Sequence, residues 1–257
     1  MALRFTPTRA PPAPAFNTKK NRQLSEAGQV INRKARAAYG VDGSAREKSR
    51  VDSYGNPVPW MTYPAVEYLS QFDFSKNTVF EWGSGNSSAW FSRRFASVIS
   101  VESEARWYDM GLAGLNDNQT LLLREFDRRG NEEDAAVRAF ADAILEQSGG
   151  FDVISNDGKL ISQPRCTDNA IEKLTPGGLI IFDNSDWLPA QCEKLRKAGF
   201  LQVDFHGNGP LNTYTWTTSI FFEPRPDCLL MTNPQAFSRV SKAGRSSHKH
   251  VLGMANP

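Results

Sequence analysis

Hydrophobic and polar positions change period repeatedly along the middle of this chain. Short runs rich in β-branched and aromatic residues predict five strands: NTVFEW (77–82), SVISVE (97–102), TLLLREF (120–126), FDVIS (151–155) and GGLIIFD (177–183). The segments between and after them, 87–95, 103–115, 132–147, 164–174 and 188–198, carry helical spacing. Upstream, PAVEYLSQF (64–72) reads as a helix, and 23–38 as a short polar one. Strands alternating with helices predict an α/β fold with a mostly parallel sheet covered on both faces. LQVDFH (201–206) and TYTWTTSIFF (213–222) are joined across Gly207-Asn208-Gly209-Pro210 with no room for a helix. They are expected to form an antiparallel hairpin at one edge, making seven strands in all.

Composition adds boundaries to this picture. The chain has 257 residues, 40% of them hydrophobic, enough for an ordinary core without disulfides or structural metals. Residues 1–50 hold 11 Lys/Arg against 3 Asp/Glu, and residues 234–257 hold 4 against 0. The net charge of +2 therefore conceals an acidic middle between basic ends. We read a basic N-terminal arm (1–50), a central domain (51–233) and a basic C-terminal tail (234–257). Such ends can touch phosphate or an anionic surface, or be solvated tails. The acidic middle speaks against nucleic acid as a partner. No apolar run reaches membrane-spanning length, and MALRFTPTRAPPAPAF lacks the continuous apolar stretch of a secretory signal. Cys166, Cys192 and Cys228 are too widely spaced for a disulfide framework or zinc knuckle, so a reducing, cytoplasmic setting is expected. A homo-oligomer stays open.

In an open parallel sheet, ligands bind beyond the carboxyl ends of the strands. The first strand ends in Glu81-Trp82-Gly83-Ser84-Gly85-Asn86-Ser87-Ser88, where two glycines permit a sharp turn and close approach to a ligand. The second ends in Glu102, an acid placed to accept hydrogen bonds from a ribose diol. Strand, glycine loop, helix, strand and acid in that order point to a ribose-bearing cofactor. The dinucleotide fingerprint wants a third glycine where this chain has Ser88, which disfavours a nicotinamide cofactor and leaves an NAD(P)-dependent oxidoreductase as a competing class. Glu81, two residues before the first glycine, suits a cofactor with an amino-acid ammonium and no pyrophosphate.

VFEWGSGNSSAWF followed by SVISVESEARWY resembles the first two motifs of class I S-adenosylmethionine-dependent methyltransferases. The resemblance covers about residues 56–223. It implies a Rossmann-like, seven-stranded sheet and S-adenosylmethionine as cofactor. It also implies a loop (Glu81, Gly83, Ser84, Gly85, with Ser87) holding the methionine part and Glu102 holding the ribose. Pro59-Trp60-Met61-Thr62 lies where related enzymes close over the cofactor; otherwise Trp60 is a core plug at a helix entry. The tips of the fourth and fifth strands, Asn156-Asp157-Gly158-Lys159 and Asp183-Asn184-Ser185-Asp186-Trp187, are similar to the catechol and caffeoyl-coenzyme A O-methyltransferases. In those enzymes a divalent cation chelates paired substrate oxygens. The resemblance makes Asp157, Asp183 and Asn184 the candidate metal ligands and Asp157 also a cofactor contact. Leu160 stands where that group has a lysine, and Lys159 falls one place early. Without a metal, Asp183-Asn184 is a helix-capping pair and a side-chain base must act.

The implied activity is methyl transfer to a small molecule, at a hydroxyl. Candidate catalytic residues are Asp157, His206 and Lys159. His206 ends the sixth strand and is either a general base or a hydrogen-bonded structural histidine. Tyr214, Trp216, Phe221 and Phe222 are expected in core and edge packing. A catalytically silent methyltransferase-like interaction protein is the alternative from a different class.

Overall fold

The computed structural model describes residues 33–224. The N-terminal part of the arm, the start of the 23–38 helix, the C-terminal tail and Cys228 lie outside the described residues. Two short helices open the described chain: α1, covering 33–39, and α2, Val41–Glu47. α3 (Tyr63–Leu69) follows a turn-rich segment, entered with Pro64 in its first turn, where proline's missing N–H costs nothing. Then come β1 (Thr78–Trp82), α4 (Asn86–Ser92), β2 (Ser97–Glu102), α5 (Ala105–Leu112), β3 (Gln119–Leu123), α6 (Ala135–Asp142) and β4 (Phe151–Asn156). α7 (Gln163–Lys173), β5 (Leu174–Asp183), α8 (Pro189–Lys197), β6 (Leu201–Gly207) and β7 (Trp216–Phe222) complete the fold.

The seven strands form one sheet in the order β3-β2-β1-β4-β5-β7-β6. The first five are parallel to one another, while β7 runs antiparallel to both β5 and β6, as expected for the terminal hairpin. β1 is buried at four of five positions and β4 at five of six, the pattern of parallel strands covered on both faces. One face buries Phe80, Trp82, Ile154, Ile180 and Phe182 against Val137, Phe140, Ala170 and Leu195 of α6, α7 and α8. The other buries Val79, Val98, Val153 and Ile181 against Val66, Leu69, Trp90 and Phe91 of α3 and α4. β6 is the exposed edge, with Leu201 and Val203 facing solvent.

The helix expected over 132–147 stops as regular helix at Asp142. Beyond it, Ala143, Leu145 and Gln147 donate to carbonyls three residues back, a tighter turn than the α-helix. Asp142 instead spends its carboxylate on Arg165 (2.6 and 2.7 Å) and Asn169 of α7. At the other edge, a Cβ on Gly209 would fall 2.3 Å from the Trp216 ring and 2.4 Å from the Met61 carbonyl. Only glycine fits there, and this packing docks the β6–β7 turn against the segment carrying Trp60.

The chain runs outward from β1 through β2 to β3, then crosses to β4 on the opposite side of β1. The reversal between β1 and β4 is the topological switch point, and the tips of those strands are Trp82-Gly83 and Asn156-Asp157.

Candidate cofactor-binding and active site

The loop after β1 is shaped by backbone conformations that side chains resist. Gly83 has φ 98° and Gly85 φ 143°. A Cβ at Gly83 would also stand 3.0 Å from the Asp157 carbonyl, so this glycine lets the β1 and β4 loops touch. The loop is tied sideways to β2: Ser84 donates its N–H and hydroxyl to Glu102 Oε2, at 3.0 and 2.7 Å. Glu102 Oε1 accepts the N–H groups of Ser103 (2.7 Å) and Glu104 (2.9 Å). The carboxylate is thus buried yet fully oriented, with Ser84 as its contact on the cleft side. The Gly85 N–H donates to Ser88 Oγ at 3.1 Å, which gives the serine in the third-glycine position a structural task.

Glu81 is buried at 2% exposure, and the Ser100 hydroxyl donates to it at 2.5 Å. Burial pushes its pKa up to about 7, against the lowering effect of hydrogen bonds from Ser100, Ser88 and Ser87. Asp157 is partly buried at the β4 tip. Its carboxyl is held well above the usual range, first by desolvation and then by Asp183 and Glu81, with Arg50 opposing. Asp183 is pushed up to about 7, again chiefly by burial, while its hydrogen bonds pull the other way. These carboxyls share the carboxyl-terminal end of the sheet, where Asp183 and Glu81 both favour the protonated form of Asp157.

Asp183, a candidate metal ligand by resemblance, is engaged by hydrogen bonds within the fold. Trp216 Nε1 donates to both of its oxygens, at 3.0 and 3.2 Å, and the Thr218 hydroxyl donates to Oδ1. It is the internal acceptor that fastens β7 to β5. Asn184 takes a left-handed conformation (φ 54°) and turns the chain into a 3₁₀ segment, Ser185–Trp187. Among the described residues no group of three or more His, Cys, Asp or Glu is arranged to hold a metal ion.

The cleft at the switch point has a volume of about 260 Å³. Of the residues picked from sequence, Trp60, Gly83, Ser84, Gly85, Ser87, Glu102, Asp157 and Lys159 line it together. Trp60 is 40% exposed and forms a wall of the cleft rather than a core plug. Lys159 pairs with Glu104 at 3.1 Å and lies 4.9 Å from the centre of the Phe126 ring. His206 stands apart, exposed on the edge strand with Nδ1 2.7 Å from the Thr217 hydroxyl. Glu81 sits beneath the loop and Asp183 beside it, neither among the lining residues.

Sequence reading missed Arg50, Asn86 and Trp107. Arg50 stacks its guanidinium on the Trp60 ring at 4.0 Å and lies 5.7 Å from that of Trp107. Asn86 Nδ2 donates to the Arg50 carbonyl at 2.6 Å, clasping the upstream segment to the glycine loop. A cation ten residues before an exposed tryptophan was the available signal, but its meaning depends on a fold-back that no local pattern encodes.

The fold is the α/β, Rossmann-like methyltransferase fold, and solved structures similar to it include methyltransferases held with S-adenosylmethionine or S-adenosylhomocysteine. An O-methyltransferase from Bacillus cereus, in complex with S-adenosylhomocysteine, matches with TM-score 0.50 and 15% identity over 79% of this chain and 91% of that one. An O-methyltransferase of tomaymycin synthesis from Streptomyces achromogenes, in complex with S-adenosylmethionine, matches with TM-score 0.49 and 12% identity over 81% and 99%. A methyltransferase from Pyrococcus furiosus matches with TM-score 0.43 and 17% identity over 81% and 99%. Neither a protein-family model nor a curated protein matches the sequence. Among the described residues no helix is long and apolar enough to cross a membrane.

Proposed function

We propose that this chain is an S-adenosylmethionine-dependent methyltransferase acting on a hydroxyl of a small molecule, without a metal ion. The observation that carries this reading is the junction at the switch point. There a glycine turn at positive φ abuts the Asp157 carbonyl and is tied through Ser84 to the oriented carboxylate of Glu102. The fold shared with the B. cereus enzyme supports the same reading.

The residues fit the cofactor's parts. Glu102 accepts from the ribose hydroxyls, sharing Oε2 with Ser84. Glu81, beneath the loop, offers negative charge toward the ammonium, and Gly83, Ser84, Gly85 and Ser87 border the amino-acid chain. Trp60 covers it. When bound, the cofactor supplies an electrophilic methyl group on a sulfonium. The protein's task is then to align the acceptor and accept its proton. Asp157 is the proton acceptor: it lies in the cleft, and its raised pKa makes it a stronger base than an ordinary carboxylate. Lys159 is engaged with Glu104, so it positions that loop. His206, bonded to Thr217 on the edge strand, serves structure.

The test is methyl transfer from labelled cofactor to a panel of hydroxylated small molecules. Activity that persists in EDTA and is not raised by Mg²⁺, Mn²⁺ or Ca²⁺ supports the metal-free reading. Activity restored only by a cation overturns it. Cofactor binding without transfer to any acceptor would favour the silent interaction protein.

A further inference from the structure

The cleft contains a cation, Arg50, that forms no ion pair among the described residues, although Asp157 attracts it from across the same cleft. Arg50 lies on the segment between α2 and α3, and its own backbone is pinned: its carbonyl accepts from Asn86 Nδ2 at 2.6 Å and from the Val58 N–H at 2.9 Å. Its guanidinium is stacked on Trp60 at 4.0 Å. Stacking fixes the plane of the group and leaves its N–H edge for an acceptor lying in that plane. Yet Nε is buried and has no hydrogen-bond partner, and among the described residues no carboxylate lies within ion-pair distance of the guanidinium, Asp157 acting on it only at longer range. A buried donor left unpaired is costly, so a residue held this firmly in that state is organised for a ligand. Lys159, the other cation lining the cleft, is already paired with Glu104 at 3.1 Å.

The ligand's chemistry follows from what stands opposite. Glu102 and Asp157 line the same cleft, with Glu81 buried beneath its loop. A fixed positive group and carboxylates lining one cleft complement a zwitterion, an ammonium and a carboxylate on one carbon. We propose that Arg50 is the carboxylate-binding residue of the site, taking the amino-acid carboxylate of S-adenosylmethionine while the acidic side takes its ammonium. This rests on the cofactor reading above and adds to it the residue that distinguishes the intact amino acid from its fragments. An acidic methyl acceptor is the other source of the same carboxylate chemistry.

Calorimetry on the full chain separates these cases, with S-adenosylhomocysteine and its decarboxylated analogue, which keeps the ammonium, as probes. The wild-type chain is expected to bind S-adenosylhomocysteine about ten- to hundredfold more tightly than the analogue, the range of a charge-assisted hydrogen bond. In Arg50→Gln that preference disappears through weaker binding of S-adenosylhomocysteine alone, and Arg50→Lys recovers part of it. A thermal melt of each variant verifies folding. Equal affinity of the wild-type chain for both probes overturns the assignment. So does equal weakening of both in Arg50→Gln, which would make the residue a prop for Trp60. Unchanged cofactor affinity with a raised KM for an acidic acceptor would move Arg50 to the acceptor and likewise overturn it. If the wild-type chain binds neither probe, the cofactor reading itself fails, a result distinct from loss of selectivity alone.

Discussion

Glu81 carries a carboxyl group into the sheet, and the consequence is a pH signature. Its folded pKa is pushed up to about 7 from an ordinary 4.5. A group that holds its proton more tightly folded than unfolded contributes stability that is full below the unfolded value and is lost as pH rises through the folded one. Stability should therefore fall between about pH 4.5 and 7. Glu81→Gln keeps an acceptor for Ser100 and removes the charge. The variant is expected to match the wild-type unfolding free energy near pH 4.5 and to exceed it at pH 8, by on the order of 3 kcal/mol for a shift of that size. A parallel pH profile for the two proteins would contradict the burial argument. Gly83→Ala tests backbone geometry instead. With φ at 98° and the Asp157 carbonyl 3.0 Å from the added carbon, the substitution should cost about 1–3 kcal/mol in a denaturant titration. It should also weaken binding of S-adenosylhomocysteine. Both residues were visible in the sequence, as an acid and a glycine at a strand tip. The environment that sets the pKa of Glu81, with Ser100 on the next strand, was not.

At the scale of elements, two strand-tip acids that look alike in sequence do different work. Glu102 ends β2 and gathers the first turns on either side, through Ser84 and through Ser103 and Glu104. Glu102→Ala should weaken S-adenosylhomocysteine binding by roughly 1–3 kcal/mol, the loss of a charge-assisted hydrogen bond, as read by calorimetry. Asp183 ends β5 and is spent on Trp216 and Thr218 of β7. Thr218 also accepts the Thr62 N–H at 3.0 Å, so the same acid indirectly steadies the Trp60 segment. Asp183→Ala leaves the buried Trp216 N–H without its acceptor and should lower stability by about 1–3 kcal/mol in a denaturant titration. Its residual turnover should be no more and no less sensitive to EDTA than that of the wild type. The alternation of strands and helices was legible because periodicity reports burial directly. The partner of Asp183 was not, because it stands 33 residues on, across an antiparallel register that only the folded hairpin creates. Helix ends were blurred for a related reason: Asp142 ends α6 by turning to α7.

For the whole molecule, the order β3-β2-β1-β4-β5-β7-β6 decides where chemistry can occur. The reversal between β1 and β4 brings the Gly83 and Asp157 loops into contact, and the segment before α3 folds over them through Arg50 and Asn86. The antiparallel hairpin followed from the short connection between its strands, which leaves no room for a crossover helix. The upstream closure did not, since residues 41–60 carry no strong period and their place depends on contacts with the finished sheet. The central claim, that the cleft is built for S-adenosylmethionine, is tested most directly by calorimetric titration of the full chain with S-adenosylhomocysteine and, separately, with NAD⁺ and NADP⁺. The account predicts saturable one-to-one binding of S-adenosylhomocysteine, weakened by Glu102→Ala, and no binding of either dinucleotide. Binding of a dinucleotide in place of S-adenosylhomocysteine, or binding of none of the three, would contradict it.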